Sequence, residues 1–206
     1  SLIKKYFKNR YIVSDNFEVM VDNKETKKVK EKTMKSDNIQ TNLVMLFNLK
    51  NLSELEKNIT LNCFNYLYGS GGLTSKLYKS IREENSLCYA INSMYLKYDK
   101  LLMVQISLDN CNVKKAISLV KKELKSMQNG NFSEEEVRDA INNMVISLDM
   151  SLDNNIAILN NYVFNIYDKL PSIEERKEYF KKLTKEDIVN VSKKVKLNTI
   201  FTLEGR

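Results

Sequence analysis

Hydrophobic and polar positions alternate most regularly over Thr41 to Leu49, where Leu43, Met45, Phe47 and Leu49 share one face and Val44 and Leu46 the other. A period of two marks a strand, and two partly apolar faces predict a central strand covered by helices. The period then lengthens. Ser53 followed by Glu56 forms a capping box, and Leu55, Ile59, Cys63, Phe64 and Leu67 recur at helical spacing until Gly69 stops the run. A second helix is predicted from Ser75 to Glu84, with Leu77, Tyr78 and Ile81 inward. Alternation returns over Leu87 to Tyr95 and Leu101 to Leu108, two strands joined by a hairpin around Tyr98-Asp99-Lys100.

The remainder is mostly helical in pattern. Val113, Ala116, Ile117, Val120, Leu124 and Met127 mark one helix, closed by Asn129-Gly130. Ser133 caps another, with Val137, Ala140, Ile141, Met144, Val145 and Leu148 inward; it breaks near Leu152-Asp153-Asn154 and resumes from Ile156 to Ile166. Ser172 with Glu175, and Thr184 with Asp187, open two more helices, the second reaching Lys196 before a last strand over 198–203. Upstream, 17–21 and about 27–34 read as strands with a solvated face. This order predicts an α+β fold: a single mainly antiparallel sheet of about five to six strands, with helices packed on one face. Five glycines and the lone Pro171 leave little linker material, so 17–206 reads as one domain and 1–16 as the end of a preceding helix or a linker.

At 206 residues and 43% hydrophobic, the chain can bury a sizeable core. No apolar run reaches the roughly 20 residues that cross a bilayer, so no membrane partner is expected. The opening Ser1-Leu2-Ile3-Lys4-Lys5 has no secretory h-region and reads as a piece of a longer protein. Cys63, Cys88 and Cys111 are odd in number, lack C-x-x-C spacing and lie in apolar surroundings. They fit three small buried hydrophobes in a reducing cytoplasm better than a disulfide scaffold. The net charge of +7 comes from lysine, since arginine occurs only at Arg10, Arg82, Arg138, Arg176 and Arg206. The densest basic run, Lys24 to Lys35, contains Glu25 and Glu31 and no aromatic residue. It reads as a lysine-protected edge strand and not as a nucleic-acid surface.

The chemistry concentrates between Gly69 and Tyr89. A turn containing Gly69, Gly71 and Gly72 opens the short helix, Arg82 rides that helix, and Tyr89 begins the next strand beyond a bend at Asn85-Ser86. A guanidinium stays charged and presents several fixed donors; a phenol adds a neutral one. Donors on the two sides of one bend can converge on a peptide carbonyl that gains charge during attack. The residues alone equally allow Arg82 to pair with Glu83 or a sheet carboxylate, with Tyr89 packed in the core. The turn is not a phosphate cradle, because a P-loop needs Gly-Lys-Ser/Thr and here Lys76 follows Ser75.

The glycine turn, the Ser75-x-Leu77 helix running into Arg82-Glu83, and the seven-residue step from Arg82 to Tyr89 resemble the zinc-free C-terminal half of the insulinase/pitrilysin/mitochondrial processing peptidase family. That resemblance implies the α+β domain predicted above. It implies that Arg82 and Tyr89 bind peptide substrate and stabilise the transition state, acting neither as acid, base nor nucleophile. It also implies a complementary half, in cis or as a paired subunit in a dimer, that carries zinc on a His-x-x-Glu-His helix. The chain has no histidine, and its corresponding helix reads Leu61-Asn62-Cys63-Phe64-Asn65-Tyr66-Leu67, so no metal or other cofactor is expected on this chain itself. The rival expectation is a catalytically inactive relative serving as a structural or assembly subunit.

Overall fold

The computed structural model describes residues 28–168 and 170–206. The expected strand at 17–21 and the expected boundary at residue 16 lie outside the described residues. Among the described residues five strands form one sheet: β1 (Lys30–Lys35), β2 (Thr41–Leu49), β3 (Cys88–Leu96), β4 (Leu101–Leu108) and β5 (Val195–Glu204). Their order is β1-β5-β2-β4-β3. β2 pairs antiparallel with β4 and β5, and β4 antiparallel with β3, while β1 runs parallel to β5. The fold is therefore α+β with a mainly antiparallel sheet. β2 is the central strand, as its pattern predicts.

The helices cover one face of that sheet. Leu43, Met45 and Phe47 of β2 and Leu102, Val104 and Ile106 of β4 are fully buried there, whereas Val44 and Leu46 on the other face are half-buried. β1 is exposed at all six positions and carries Lys30, Lys32 and Lys35, the charged edge that discourages further strand pairing.

Helix α1 is built of three stretches, Glu56–Thr60, Leu61–Asn65 and Tyr66–Ser70, of which the outer two are wide π turns. A π turn closes i→i+5 hydrogen bonds and holds more residues than an α turn, which a 3.6-residue pattern does not reveal. The capping box forms as expected: the Ser53 amide donates to the Glu56 carboxylate at 2.7 Å, and the Glu56 amide to the Ser53 hydroxyl at 3.2 Å. Helix α2 (Tyr78–Glu83) is also π-wound. Then follow α3 (Val113–Gln128), α4 (Glu134–Leu152), α5 (Asn155–Asp168), α6 (Ile173–Lys181) and α7 (Lys185–Ser192). Capping boxes open α4, α6 and α7 at Ser133, Ser172 and Thr184.

Two expectations need correction. α7 stops at Ser192 instead of reaching Lys196, and β5 begins at Val195. The β2 backbone takes over there, pairing Leu49 with Val195 and Asn48 with Lys196, so tertiary pairing overrides the local helical period. Of the three cysteines, only Cys63 is buried; Cys88 is half-buried and Cys111 exposed on the short turn before α3. No helix among the described residues is long and apolar enough to cross a membrane.

Candidate functional site

The site is set by how closely the end of α1 approaches β3. A Cβ added at Gly69 would lie 2.5 Å from the Ser93 hydroxyl and 2.8 Å from its Cβ, so only glycine lets the helix end rest on the strand. One turn earlier, the buried Asn65 side chain accepts a hydrogen bond from Ser93 at 2.5 Å. The chain then reverses at Gly72, whose φ of +59° lies in the left-handed region that glycine adopts without steric cost. The Gly71 amide donates to the Tyr66 carbonyl, and Ser75 donates through its hydroxyl to the Gly72 carbonyl at 2.8 Å, which starts α2. The glycine turn thus spends its polar groups on its own geometry.

Arg82 occupies the last turn of α2, exposed, with its guanidinium 5.2 Å from the centroid of the Tyr78 ring. That ring is an electrostatic seat for a cation and leaves the N–H edge of the fork for other partners. Beyond it the backbone bends through Ser86 at φ +51°, and the Leu87 amide returns to the Ile81 carbonyl at 3.0 Å. The strand register slips between Cys88 and Ala90, so Tyr89 sits on a bulge, the device that turns a side chain out of a regular strand. Tyr89 is 51% exposed, and its hydroxyl donates to the Asp109 carboxylate at 3.0 Å.

That carboxylate sets the chemistry of the phenol. The hydrogen bond to Asp109, reinforced by its charge, raises the Tyr89 pKa and keeps the group protonated. Burial raises the Cys88 thiol pKa as well, with the Arg82 charge pulling the other way, so the guanidinium lies within electrostatic reach of the strand start. Among the described residues no hydrogen bond or ring contact joins Arg82 to Tyr89; each is held by its own neighbour, Tyr78 and Asp109. Tyr89 is not packed in the core, and Arg82 has no ion pair with Glu83 among the described residues. The sequence reading takes Tyr78 only as an inward-facing helix residue and does not single out Asp109. Asp109 had a signal: it follows the last residue of β4, which the hairpin register sets opposite Cys88.

By the resemblance, the stretch Leu61–Leu67 of α1 corresponds to the zinc-bearing helix of the complementary half, and it carries no His, Asp or Glu. Leu61 and Phe64 are core, and Asn62 donates its side-chain amide to the Asn58 carbonyl at 2.8 Å. Cys63 is sealed in, where burial pushes its thiol up to about 12 and away from the thiolate a metal requires. Among the described residues no group of three or more His, Cys, Asp or Glu side chains is placed to hold a metal ion. This donor set does not fit zinc.

A family model described as the peptidase M16 inactive domain matches residues 1–144. The chain belongs to the peptidase M16 family. It is the insulinase/pitrilysin/processing-peptidase family to which the Gly69–Tyr89 segment pointed, and the match is to the inactive domain. A curated relative, the "Probable inactive metalloprotease YmfF" of Bacillus subtilis, is 30% identical over 149 residues, covering 70% of this chain and 34% of its own length. A conserved protein from Enterococcus faecalis superposes with a TM-score of 0.81 at 24% identity, over 88% of this chain and 43% of that one. A peptidase M16 inactive domain from Pseudomonas fluorescens does so with 0.73 at 16% identity, over 87% and 44%. Both structures share the fold of this M16 domain. The chain spans about a third of YmfF and less than half of each solved structure.

Proposed function

We propose that this M16 domain is the zinc-free, substrate-holding half of a peptidase, with Arg82 and Tyr89 as its peptide-binding residues. The observation that carries the reading is the exposed Arg82 and Tyr89 pair on the two arms of one helix–strand bend, with glycine packing and a bulge dedicated to its shape. A peptide carbonyl reaching the Arg82 fork would compete with Asp109 for the Tyr89 proton, giving two converging donors where negative charge grows. The hydrolytic chemistry belongs to zinc carried by the complementary half, in cis or as a paired subunit, and no step of it is assigned to this chain. A cytoplasmic dimer acting on unfolded peptides completes the proposal.

One observation favours a second reading. The YmfF relative is named a probable inactive metalloprotease, which suits a structural or assembly subunit. Peptide cleavage by the full-length protein with any paired subunit separates the two. Under the first reading Arg82→Ala lowers kcat about 10²-fold, the scale of a lost oxyanion donor, with zinc content unchanged. Unchanged turnover removes Arg82 from the site, and the absence of both zinc and cleavage from the whole assembly supports the assembly subunit.

A further inference from the structure

The helical layer leaves α5 uncovered. It rests on α4, and its Asn161 side chain accepts a hydrogen bond from Arg176 of α6 at 2.7 Å. Yet of its side chains from 155 to 165 only Ala157 and Asn161 are half-buried, and none is buried. The exposed ones are largely apolar: Ile156 is 71% exposed, Leu159 61% and Tyr162 67%. Ile146 and Met150 of the neighbouring α4 are exposed too, four residues apart on one helix face. A helix this apolar is ordinarily covered, and exposed apolar surface of this extent marks an interaction site.

Charge narrows what can cover it. From 139 to 168 the chain carries four aspartates and no lysine or arginine, although its net charge is +7. Lys177 of α6 pairs with Asp149, whereas among the described residues Asp139 and Asp153 have no ion pair. Asp139, Ile146, Met150 and Asp153 recur at helical spacing, so acids flank the apolar pair on α4. A second copy packed through this face would set its aspartates against their own images, because a two-fold interface opposes like surfaces. The complement is an apolar stripe flanked by cations. Residues 1–13, which lie outside the described residues, have that pattern: Leu2, Ile3, Tyr6 and Phe7 at helical spacing, with four cations and no carboxylate. Their reach suffices. β1 enters the sheet at Lys30, opposite Thr199, from the end where β5 begins and the β3–β4 hairpin turns. Phe164 of α5 lines one cavity with the hairpin residues Tyr95 and Tyr98, so α5 reaches that same end. From β1 across to β3 is four strand spacings, roughly 19 Å, and residues 14–27 span up to about 46 Å when extended.

We propose that residues 1–13 cover the exposed face of α5 and the end of α4, seating Leu2, Ile3, Tyr6 and Phe7 on Leu159 and Tyr162 with their lysines toward Asp153. Any polypeptide preceding residue 1 then approaches the domain over its helical layer. The proposal stands whatever role Arg82 and Tyr89 play. Its test is photo-crosslinking in the full chain with p-benzoylphenylalanine in place of Leu159, an exposed position outside the core. An equal mixture of ¹⁴N- and ¹⁵N-labelled chain separates crosslinks within a chain from those between chains by mass. Crosslinks within the chain to residues 1–13 are expected. Their yield should fall as salt rises, and fall several-fold in the triple variant Lys4→Glu, Lys5→Glu, Lys8→Glu; adding Asp153→Lys should recover part of it. Hydrogen exchange of amides 156–165 gives a second reading. Ile3→Asp with Phe7→Asp should speed that exchange at least about tenfold, since burying two such side chains contributes more than that. Crosslinks between chains identify a second copy and overturn the proposal. So do crosslinks confined to residues beyond 13, no crosslink at all, or yield and exchange unaltered by the variants.

Discussion

Tyr89 differs from an ordinary surface tyrosine through one partner, Asp109. The hydrogen bond and the charge both favour the protonated phenol, so Asp109→Asn is expected to bring the Tyr89 pKa down toward the usual value near 10. A ¹³C-tyrosine NMR titration reads that shift directly, and an unmoved titration would show that the contact does not form in solution. In a cleavage assay, Tyr89→Phe should cost less than Arg82→Ala, because the phenol proton is already engaged by Asp109 while the guanidinium fork rests on the Tyr78 ring. At this scale residue type and spacing single out Arg82 and Tyr89, and both are exposed on the two sides of the bend. The sequence was silent on Asp109, which reaches Tyr89 only through strand register.

Glycine positions separate two kinds of element constraint. Gly69→Ala drives a methyl group into Ser93 and should destabilise the fold by about 1–3 kcal/mol, the range for overpacking a tight contact. Gly72→Ala meets nothing within 4 Å and carries only the left-handed backbone cost, about 1–2 kcal/mol. Urea denaturation measures both, and an unaffected Gly69→Ala would mean that α1 does not rest on β3. Ser133→Ala removes the cap of α4 and should cost about 1 kcal/mol in the same measurement. All four capping boxes were readable, because each needs only two residues three apart. The π turns of α1 and α2 were not, since an extra residue inside a helix leaves the neighbouring apolar positions plausible. The start of β5 was hidden for another reason: the edge of β2 decides it.

At the scale of the whole molecule, two of the ion pairs that fasten distant parts of the chain involve partly buried carboxylates. Lys194 meets the Glu56 carboxylate at 2.6 Å, joining the end of α7 to the start of α1, and Lys76 meets Glu136 at 2.8 Å, joining α4 to the segment before α2. Burial pushes both carboxyls up, but the lysine contacts and the capping serines outweigh it and leave each pKa below its usual value. A carboxyl lowered in the folded state adds stability above its unfolded pKa, and that stability is lost as pH falls through the folded value. Melting temperature should therefore drop as pH goes below about 4.3, and the drop should shrink in Glu56→Gln and Glu136→Gln. A double variant with an unchanged acid profile would count against both contacts.

The strand order has a consequence for how the chain is made. β5 lies in an interior lane of the sheet, and it is the neighbour through which β1 joins the rest, although the two are roughly 170 residues apart along the chain. While residues 195–204 are still inside a ribosome, β1 lacks its β5 partner and β2 has its β5 side unpaired. The emerging polypeptide must wait, and a chain cut before residue 195 has a gap in mid-sheet.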